Sequence, residues 1–525
     1  YTEKEKSFFY KYNRLITQEY RVVKEEHGNY LTLDSNKRLS EGKCVEISAY
    51  EEEKPICHLA CENKSEIREG DFCLLSDIKG PIEGECLEVV VTKVAANQIS
   101  IKSRVSPWFE PIFLDKHDTE SMIARNFAAL YELLKEPTLL PIKSALLDES
   151  FIPNPNVEKK ANFSKSAITL TPTQERALNL AMGLEHWLLV QGPPGTGKTS
   201  VLAKMVEALL VNNKKILIAC YTHRAVEEVL KKLGEVAPNV EVLRIGNPLA
   251  SKEELDKYLL IEKVKQNGSD INAQVENAEK IIGANRVYIG TTHAWLSGKF
   301  DKLLKEEEQE RELFDVAIID EAAQITIPSV IGALRLAKKF VLVGDHMQLP
   351  PVVKSEEASR LKETLFEKLF DKEDEQTTNN IMLDIQYRMH PAICEFISKE
   401  FYDGKLKSAP EVENRKLELS VSESQLAPII TPDKPLVLVH LSTDAAHQPE
   451  RQSKREIDLI VEILRELRSK NFPPDKIGII APFRAQVAAL RRAFEKLYET
   501  LEFEDIRKIV DTVDRFQGDE KDIII

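Results

Sequence analysis

A glycine-rich stretch in the chain combines the residue types that bind phosphate groups. Its eight residues are, in order, Gly192, Pro193, Pro194, Gly195, Thr196, Gly197, Lys198 and Thr199. Glycines allow successive backbone N–H groups to turn towards phosphate oxygens, and a helix that begins there adds its positive end. The lysine is expected to reach the β- and γ-phosphates, and the threonine hydroxyl is expected to bind Mg²⁺. This stretch predicts a nucleoside triphosphate site.

The residues on either side of this stretch support that prediction. An apolar run over residues 187–190 precedes it, and an amphipathic run over residues 201–206 follows it. This order indicates a strand, a loop and a helix, which is the context in which the pattern is specific. A chance glycine-rich turn is the alternative, and these flanks disfavour it.

Two adjacent carboxylates have the chemistry to complete such a site. Asp320 and Glu321 directly follow the apolar run 316–319. Parallel sheets bind their ligands at the carboxyl ends of buried strands, where these two residues are expected to lie. Asp320 is expected to bind Mg²⁺, and Glu321 is expected to orient and polarise the attacking water. A solvated acidic pair is the alternative, but the four apolar residues before it favour a strand end.

Composition and charge restrict the class of protein. The chain has 525 residues, 42% of them hydrophobic, and its net charge is −14. No apolar run approaches the ~20 residues of a membrane span, and no signal peptide is recognisable. The negative charge excludes a uniformly basic nucleic-acid coat but not a local basic channel. Seven cysteines in a chain of this size suggest a reducing compartment, so an intracellular location, cytoplasmic or nuclear, is expected.

A group of early cysteines raises the question of a metal site. Five of them lie between residues 44 and 86, and one pattern is Cys57-His58-x-x-Cys61. This pattern could indicate a metal, but the remaining spacings fit no zinc or iron–sulfur template. Buried thiols on strands are the favoured interpretation.

Hydrophobic periodicity divides the chain into an accessory part and two α/β parts. Short alternating runs predict a small β-barrel between two helices, with an independent β-domain as the alternative. Continuous apolar runs separated by helices predict parallel sheets covered on both faces. The predicted parts are a stalk helix (1–27), a β-barrel (28–106), a stalk helix and linker (107–167), a first α/β domain (168–360) with a helical insertion (about 248–284), and a second, incomplete α/β domain (361–525).

The apolar runs also predict individual strands of the two sheets. In the first domain, strands are expected at 216–220, 287–290, 316–319 and 340–343. In the second domain, strands are expected at 436–439, at 477–480 and from 522 onward. The fold class is therefore α/β, and two α/β parts with one phosphate loop imply a cleft between them.

Three motifs, in this order, resemble those of the superfamily 1 helicases. They are Asp320-Glu321-Ala322-Ala323-Gln324, Gly344-Asp345-His346-Met347-Gln348-Leu349-Pro350-Pro351 and Gln386-Tyr387-Arg388-Met389-His390-Pro391. The residue sequences of these motifs are similar to those of the 5′→3′ branch, which contains the nonsense-mediated-decay helicase and the Okazaki-flap nuclease-helicase. The resemblance covers about residues 165–525 and fits the stalk-and-barrel layout before them. It implies two RecA-like domains, the second truncated, and an ATP- and Mg²⁺-dependent motor moving 5′→3′ on single-stranded nucleic acid.

The resemblance implies roles for five further residues. Gln174 is similar to the glutamine that reads the adenine edge, Tyr387 to the residue that stacks on the base, and Glu520 to the ribose contact. Gln348 resembles the sensor of the γ-phosphate, and Arg388 resembles an arginine finger that the second domain supplies. A guanidinium supplied across a cleft stabilises transition-state charge only when the cleft closes. The implied cycle therefore couples closure to ATP binding and reopening to hydrolysis.

Four residues are expected to contact the nucleic acid. Thr222, His223, Thr292 and Thr512 lie at the ends of apolar runs and resemble positions that hold strand phosphates. A hydroxyl at a strand end is more often a helix cap, so the residues alone leave both interpretations open. The residue sequence around Thr222 is closer to that of the flap nuclease-helicase group than to that of the RNA-decay group, which favours DNA over RNA. By analogy, the barrel and the helical insertion are expected to clamp the strand over the first α/β domain.

Two other functions stay open from the sequence. An RNA helicase of the decay type shares these motifs, and an ATP-gated nucleic-acid switch would use them without unwinding. A kinase is disfavoured because Gln348 and Arg388 would have no role in it. The family's last motif, with a second arginine, is not found in the sequence, so weak ATP hydrolysis by this polypeptide alone is expected. No carboxylate–lysine nuclease signature is visible, so a fused nuclease domain is expected only outside this sequence.

Overall fold

The computed structural model describes most of the chain in two compact units. The described residues are 1–54, 56–63, 65–95, 97–103, 105–117, 121–135, 141–148, 151, 153–162, 169–246, 253–265, 278, 280–296, 314–370, 379–417, 419, 425–441, 452–498, 501 and 503–525. The first unit contains Tyr1–Glu25, Glu120–Met389 and Ile397–Ala409, and the second contains Glu26–Thr119, His390–Phe396 and Pro410–Ile525. None of the described helices is both long and apolar enough to cross a membrane.

The described N-terminal part contains three helices and a closed, six-stranded antiparallel barrel. Its elements are α1 (Glu3–Leu31), α2 (Ser35–Ser40), β1 (Cys44–Glu53), β2 (Ile56–Cys61), β3 (Phe72–Ser76), α3 (Gly80–Glu83), β4 (Cys86–Val94), β5 (Gln98–Lys102) and β6 (Phe113–Lys116). The strand order is β1-β2-β5-β4-β3-β6, and β6 closes the barrel by pairing with β1. Apolar residues of the strands fill the interior, as their period-2 alternation predicts. The predicted barrel is confirmed.

The early cysteines are core residues of this barrel. On β2, Cys57, Leu59 and Cys61 are buried in the barrel core, whereas His58 alternates with them and its Nδ1 lies 2.8 Å from Ser100 Oγ. Burial raises the pKa of the Cys61 thiol to about 11, so this side chain is neutral. Within the described ranges, no group of three His, Cys, Asp or Glu side chains is placed to hold a metal ion. Strand alternation therefore separates the two cysteines from the histidine.

The first unit is built on a seven-stranded parallel sheet. The elements over this part of the chain are α4 (Ser121–Lys135), α5 (Pro141–Leu147), α6 (Pro172–Met182), β7 (Trp187–Gln191), α7 (Lys198–Val211), β8 (Ile216–Cys220), α8 (His223–Val236), β9 (Val242–Ile245), a 3₁₀ helix (Glu253–Tyr258), α9 (Leu260–Lys265), β10 (Val287–Thr291), α10 (Thr292–Leu296), β11 (Val316–Ile319), α11 (Ile327–Leu334), β12 (Phe340–Gly344), α12 (Leu365–Phe370) and β13 (Asn380–Met382). The strand order is β13-β7-β12-β11-β8-β10-β9. The four predicted strands of this domain form and are buried along their length, as in a sheet covered on both faces.

Two helices that precede the sheet in the chain share its apolar core. Phe8, Tyr12 and Leu15 of α1 and Leu130 and Leu133 of α4 are buried in the same cluster as the strand residues of the first sheet. Their spacing of three or four residues places them on one face of each helix. The helical periodicity therefore positions these helices against the α/β core.

The first sheet extends past the domain boundary expected at residue 361. β13 pairs in parallel with β7, and Ile381 is buried against the strands of the first sheet. A strand of three residues is too short to give a periodic signal, so the sequence places it in the second domain. Of the helical insertion expected at 248–284, the 3₁₀ helix, α9 and a helical turn at 280–284 are seen. Residues 248–252, 266–277 and 279 of that insertion lie outside the described ranges.

The rest of the chain contains a two-stranded pair and a second, three-stranded parallel sheet. The elements are β14 (Ile385–Gln386), α13 (Pro391–Phe401), β15 (Lys407–Ser408), α14 (Lys454–Ser469), β16 (Ile477–Ala481), α15 (Arg484–Leu497), α16 (Phe503–Ile509), β17 (Val510–Thr512), α17 (Val513–Phe516) and β18 (Ile523–Ile524). β14 pairs with β15, and the second sheet has the order β17-β16-β18. The strands expected at 477–480 and after 522 correspond to β16 and β18.

One expected strand of the second domain does not form. Residues 436–439 have irregular backbone structure, and Leu438 is 96% exposed. A strand needs a neighbour for its backbone N–H and C=O groups. In the described part of the second sheet, β16 lies at the centre and pairs only with β17 and β18. The prediction of a strand at 436–439 from its apolar residues alone was therefore wrong, because no described strand pairs with this segment.

Candidate nucleotide-binding site

The glycine-rich loop connects the carboxyl end of β7 to the first turn of α7. Its start is tied to the neighbouring strand, because Gly192 N donates a hydrogen bond to the Gly344 carbonyl at 2.9 Å. Gly195 and Gly197 have φ angles of +76° and +77°, which glycine adopts without steric cost. The other loop residues complete the turn or begin the helix: Pro193, Pro194, Thr196 and Thr199. The local sequence thus determines the loop conformation.

Lys198 lies across this loop. Its Nζ donates to the Gly192 carbonyl at 2.8 Å and lies 3.8 Å from Glu321 Oε1. A Cβ at position 192 would lie 2.1 Å from the Lys198 Cγ, so glycine leaves the room that the lysine stem needs. The lysine side chain is 13% exposed, which limits the solvent screening of its charge.

The carboxylates of Asp320 and Glu321 follow β11 at the edge of the sheet where the loop begins. Asp320 is 5% exposed, and its Oδ1 has no hydrogen-bond partner among the residues described. Burial and, to a smaller extent, the charge of Glu321 raise the pKa of Asp320 to about 7. A buried carboxylate oxygen without a donor is suited to a hard divalent cation, so these residues fit Mg²⁺.

Glu321 has an uncommon backbone conformation. Its φ is +51°, in the left-handed region, which costs roughly 1–2 kcal/mol for a residue with a side chain. Its Oε2 accepts a hydrogen bond from Gln324 Nε2 at 3.1 Å, while its Oε1 is the atom near Lys198. Strain of this kind persists where surrounding contacts hold it, and here it accompanies a carboxylate beside the loop lysine.

A buried carboxylate with no role predicted from the sequence organises the next motif. Asp345 is 2% exposed and accepts hydrogen bonds from Gln348 Nε2 at 2.7 Å and from Gln191 Nε2 at 3.3 Å. Its Oδ2 also accepts a hydrogen bond from the Tyr402 hydroxyl at 2.6 Å. Burial and the charge of Asp345 raise the pKa of Tyr402, so the phenol stays protonated. Gln348, the expected γ-phosphate sensor, is therefore oriented by a network that includes a tyrosine from outside the motifs.

The Tyr387–Arg388 segment lies against the glycine-rich loop. Tyr387 N donates to the Gly195 carbonyl at 2.9 Å, and a Cβ at position 195 would lie 2.5 Å from the Arg388 Cβ. The sequence assigns Arg388 to the second domain, but it belongs to the same compact unit as the loop. The physical reason is that β13, which precedes it, pairs with β7 in the first sheet.

Gln386 holds this segment in place. It is fully buried, and its Oε1 accepts hydrogen bonds from the backbone N–H groups of Arg388 at 2.8 Å and Met389 at 2.6 Å. Its Nε2 donates to the Met389 carbonyl at 2.8 Å and to Ser408 Oγ at 3.0 Å. Gln386 belongs to the third motif, but nothing in the sequence shows that it is buried, and so its positioning role was missed.

Gln174, the expected adenine reader, lies beside the loop backbone. It is 6% exposed and forms a capping box with Thr171 at the start of α6, where its Oε1 accepts from Thr171 N at 2.9 Å. Its Nε2 donates to the Thr196 carbonyl at 2.9 Å. Both ends of the amide are engaged within the protein, so contact with adenine requires one of these hydrogen bonds to exchange.

The expected nucleic-acid contacts of the first unit lie at strand ends. Thr222 caps α8, since its hydroxyl accepts a hydrogen bond from Ala225 N at 3.1 Å. His223 follows it, exposed, with its Nδ1 3.5 Å from Arg244 Nη2. Thr292 is fully buried, and its hydroxyl has no hydrogen-bond partner in the described part of the chain. These three residues therefore differ in solvent exposure and in the hydrogen bonds that their side chains make.

Two expected site residues belong to the second unit. Thr512 ends β17 and precedes α17, and its N–H donates to Asp511 Oδ1 at 2.8 Å. Glu520, the expected ribose contact, is exposed between α17 and β18. Thr512 thus lies at the carboxyl end of a parallel strand, and Glu520 lies in a connecting segment.

Among solved structures, helicases align with the chain. The arterivirus nonstructural protein 10 helicase, solved in complex with DNA, aligns over 69% of this chain and 59% of that chain, at 13% identity and a TM-score of 0.32. This likeness is too weak to support an inference.

Family and sequence comparisons agree with the motifs. Two AAA domain families match the chain, AAA_19 over residues 174–354 and AAA_12 over residues 361–525. The DNA replication ATP-dependent helicase/nuclease DNA2 of Saccharomyces cerevisiae is 31% identical over 379 residues, covering 68% of this chain and 23% of that protein. The DNA polymerase alpha-associated DNA helicase A of the same organism is 30% identical over 443 residues, covering 72% of this chain and 62% of that protein. The chain thus spans less than two thirds of the length of either relative. It belongs to the superfamily 1 helicases.

Proposed function

We propose that this chain is the motor region of an ATP-driven helicase or translocase. It moves 5′→3′ on single-stranded nucleic acid, with DNA favoured over RNA. The observation that carries this proposal is the meeting of Lys198, the Asp320–Glu321 pair and the Arg388 segment around one glycine-rich loop. Such a site can position and polarise a nucleoside triphosphate, whose hydrolysis supplies the free energy for movement. One named relative is described as a DNA replication helicase/nuclease and the other as a DNA helicase, which supports the choice of DNA.

The side chains of the site have distinct parts in this mechanism. Lys198 exchanges its bond with the Gly192 carbonyl for oxygens of the β- and γ-phosphates and neutralises them. Glu321 orients the attacking water by accepting a hydrogen bond from it and takes up its proton as the water oxygen attacks the γ-phosphate. Arg388, whose backbone adjoins the loop, supplies a guanidinium to the charge that spreads over the transferred phosphoryl group. Gln348 reports the presence of the γ-phosphate by exchanging its hydrogen bond with Asp345.

Thr199 and Asp320 are the residues that would hold Mg²⁺. Asp320 offers a buried oxygen that receives no hydrogen bond from the described residues, and Thr199 offers a hydroxyl in the first turn of α7. When bound, the ion neutralises charge on the phosphate oxygens. Gln174, Tyr387 and Glu520 complete the proposal as contacts of the adenosine moiety.

The proposal includes an intracellular location, nuclear or cytoplasmic. All seven cysteines are free thiols, which is consistent with a reducing compartment. A nuclease domain outside these 525 residues is also part of the proposal, supported by the name of the helicase/nuclease relative.

Nucleotide binding, hydrolysis and unwinding by the full-length protein and three variants test this proposal, because the 525 residues alone are expected to hydrolyse ATP weakly. Single-stranded oligonucleotides are expected to stimulate hydrolysis, and duplexes with 5′ overhangs are expected to unwind in preference to those with 3′ overhangs. Lys198→Ala is expected to lose nucleotide binding. Glu321→Gln is expected to bind ATP and to hydrolyse it about 100-fold more slowly or worse. Lys214→Ala, at a lysine that is 45% exposed, is the matched control and leaves all three activities unchanged.

Each other outcome points to a different function. ATP-dependent binding of single strands without unwinding of any duplex would replace the motor with an ATP-gated switch. Preferential unwinding of RNA would indicate a helicase of the decay type. Equal activity of Glu321→Gln and the unaltered chain would contradict the assignment of the attacking-water residue.

A further inference from the structure

A cavity within the second compact unit lies between the barrel module and the second α/β part. Its volume is about 600 Å³. Its lining combines five basic side chains with one aromatic ring: Lys43, Arg484, Arg491, Arg492, Arg515 and Phe483. Four acidic side chains also line it, and two of them, Glu66 and Asp511, are already paired with arginines. Basic groups therefore outnumber acidic ones here, although the whole chain has a net charge of −14.

Glu66 of the barrel module is bound by two arginines of the second α/β part. Its Oε1 accepts a hydrogen bond from Arg484 Nη1 at 2.6 Å, and its Oε2 accepts one from Arg515 Nη2 at 2.7 Å. The glutamate is 8% exposed. Two guanidinium groups on two oxygens of one anion form the arrangement by which arginines bind phosphate. The Glu66 carboxylate thus occupies a site with the chemistry of a phosphate site.

The residues next to Glu66 fix the same segment to the second α/β part. Arg68 Nη2 donates to Asp511 Oδ2 at 2.7 Å, and the Ile67 carbonyl accepts from Arg507 Nη1 at 2.8 Å. Ile67 is fully buried in the core of the barrel. Three consecutive barrel residues, 66–68, therefore carry these contacts, and we call this segment the latch.

An aromatic side chain lies where a nucleic-acid base could stack. Phe483, directly before Arg484, is 47% exposed at the cavity. Aromatic rings beside arginines bind single-stranded nucleic acid, because every base has a face that stacks and every nucleotide has a phosphate. Thr512, one of the expected nucleic-acid contacts, lines the same cavity.

We propose that this cavity binds one nucleotide of single-stranded nucleic acid and that Glu66 is a built-in competitor for its phosphate. The inference rests on the proposed function and deepens it. In the latched state, the Glu66 carboxylate holds Arg484 and Arg515. A strand phosphate displaces the carboxylate, the base stacks on Phe483, and the latch releases the second α/β part. Strand binding and barrel docking are thus alternatives at the same two arginines.

Fluorescence anisotropy measures the affinity of the 525-residue chain for labelled oligo(dT) and oligo(U), and so tests whether Glu66 competes with the strand phosphate. Glu66→Gln keeps the side-chain shape but removes its charge, so about three- to tenfold tighter binding is expected. The log–log dependence of affinity on salt is expected to steepen by about one, because the strand no longer has to break an ion pair. Arg484→Gln combined with Arg515→Gln is expected to weaken binding about tenfold or more. Glu51→Gln, at an exposed glutamate on β1, is the matched control and leaves affinity unchanged.

The aromatic part of the site has its own measurement. Phe483→Ala is expected to weaken binding about tenfold at every salt concentration, because stacking does not release counterions. Photo-crosslinking with a 4-thiothymidine oligonucleotide is expected to label the peptide that contains Phe483, and more strongly in Glu66→Gln. Crosslinks confined to other peptides would overturn the site.

The outcomes separate this inference from the function on which it rests. If Glu66→Gln bound the oligonucleotide equally or more weakly and melted at the same temperature as the unaltered chain, Glu66 would not compete with the strand phosphate. If Glu66→Gln melts earlier, the crosslinking yield at Phe483 decides, since it measures contact and not stability. Oligonucleotide binding and ATPase stimulation that are equal in all variants would reject only this site. Absence of oligonucleotide binding in every variant would reject the proposed function with it.

Discussion

The nucleotide site and the expected nucleic-acid contacts are built in different ways. At the nucleotide site, one continuous loop supplies the backbone and the lysine, and buried hydrogen bonds hold the neighbouring side chains. The nucleic-acid candidates are single residues at the ends of several strands, and Thr222 already caps a helix. A ligand bound by one segment leaves a pattern in the sequence, whereas a ligand bound by several strand ends leaves only ordinary strand ends.

The latch adds a third kind of construction to this comparison. Glu66 and the arginines that bind it are separated by more than 400 residues in the chain. The charges meet only because the barrel docks on the second α/β part. Arg515 lies between Thr512 and Glu520, which resemble family positions, but no pattern in the sequence marks Glu66 or its pairing with the arginines. This surface is therefore the least predictable of the three.

The largest expected effect concerns Gln386, whose side chain makes four partly buried hydrogen bonds beside the nucleotide site. Gln386→Ala removes all four and leaves backbone groups of the Arg388 segment unpaired. The turnover number for ATP is expected to fall about 100-fold, and the free energy of unfolding by about 2–3 kcal/mol. Steady-state ATPase and chemical denaturation measure the two effects. Gln18→Ala, at a half-buried glutamine of α1, is the control. Equal turnover in the two variants would contradict the claim that buried hydrogen bonds position the nucleotide site.

His293, next to the buried Thr292, is expected to make the stability of the first unit depend on pH. Burial, with smaller contributions from Arg125 and His223, lowers the pKa of His293 to about 4, below the ordinary value of 6.5. Between pH 6.5 and about 4, His293 binds a proton more readily in the unfolded chain than in the folded one. The stabilising contribution of the neutral His293 is therefore complete above pH ~6.5 and is lost as the pH falls towards ~4. The expected loss is on the order of 2 kcal/mol. Thermal melts at several pH values should show a smaller loss for His293→Gln, and identical pH profiles would contradict the lowered pKa of His293.

Tyr402 tests whether the Asp345 network orients the γ-phosphate sensor. Tyr402→Phe removes one hydrogen bond to Asp345 and keeps the ring, so the free energy of unfolding is expected to fall by about 1 kcal/mol. The turnover number is expected to fall about tenfold, with little change in the affinity for ATP. Gln348→Ala is expected to show the same division between turnover and affinity. If Tyr402→Phe raised the KM alone, Tyr402 would act on ground-state binding and not on the sensor.

The smallest expected effect separates the two roles of Thr222. Thr222→Ala removes the cap of α8 and is expected to lower the free energy of unfolding by about 1 kcal/mol. Asparagine also caps helices well, so Thr222→Asn is expected to keep the stability and to weaken oligonucleotide binding about threefold. Thermal melts and fluorescence anisotropy measure the two quantities. Equal affinity in Thr222→Asn and the unaltered chain would leave Thr222 as a helix cap only.

Periodicity predicted the barrel and the stalk helices, and continuous apolar runs predicted five of the seven strands of the first sheet, since both patterns are local properties of the chain. β9 was not predicted. These patterns failed at residues 436–439 and at β13, where pairing decides the outcome. An apolar run becomes a strand only beside a free edge, and β13 is too short to have a pattern. The residues of β13 follow the boundary expected near residue 361, yet they pair in the first sheet.

By itself, the sequence determined the chemistry of the glycine-rich loop and the acidic pair, because backbone conformation and strand ends there follow from neighbouring residues. Only the tertiary structure decided which distant groups complete these elements. It brought Arg388 to the loop through β13, Tyr402 to Asp345, and Glu66 to Arg484. These contacts depend on the burial and mutual distance of residues far apart in the chain, and no spacing in the sequence encodes either quantity.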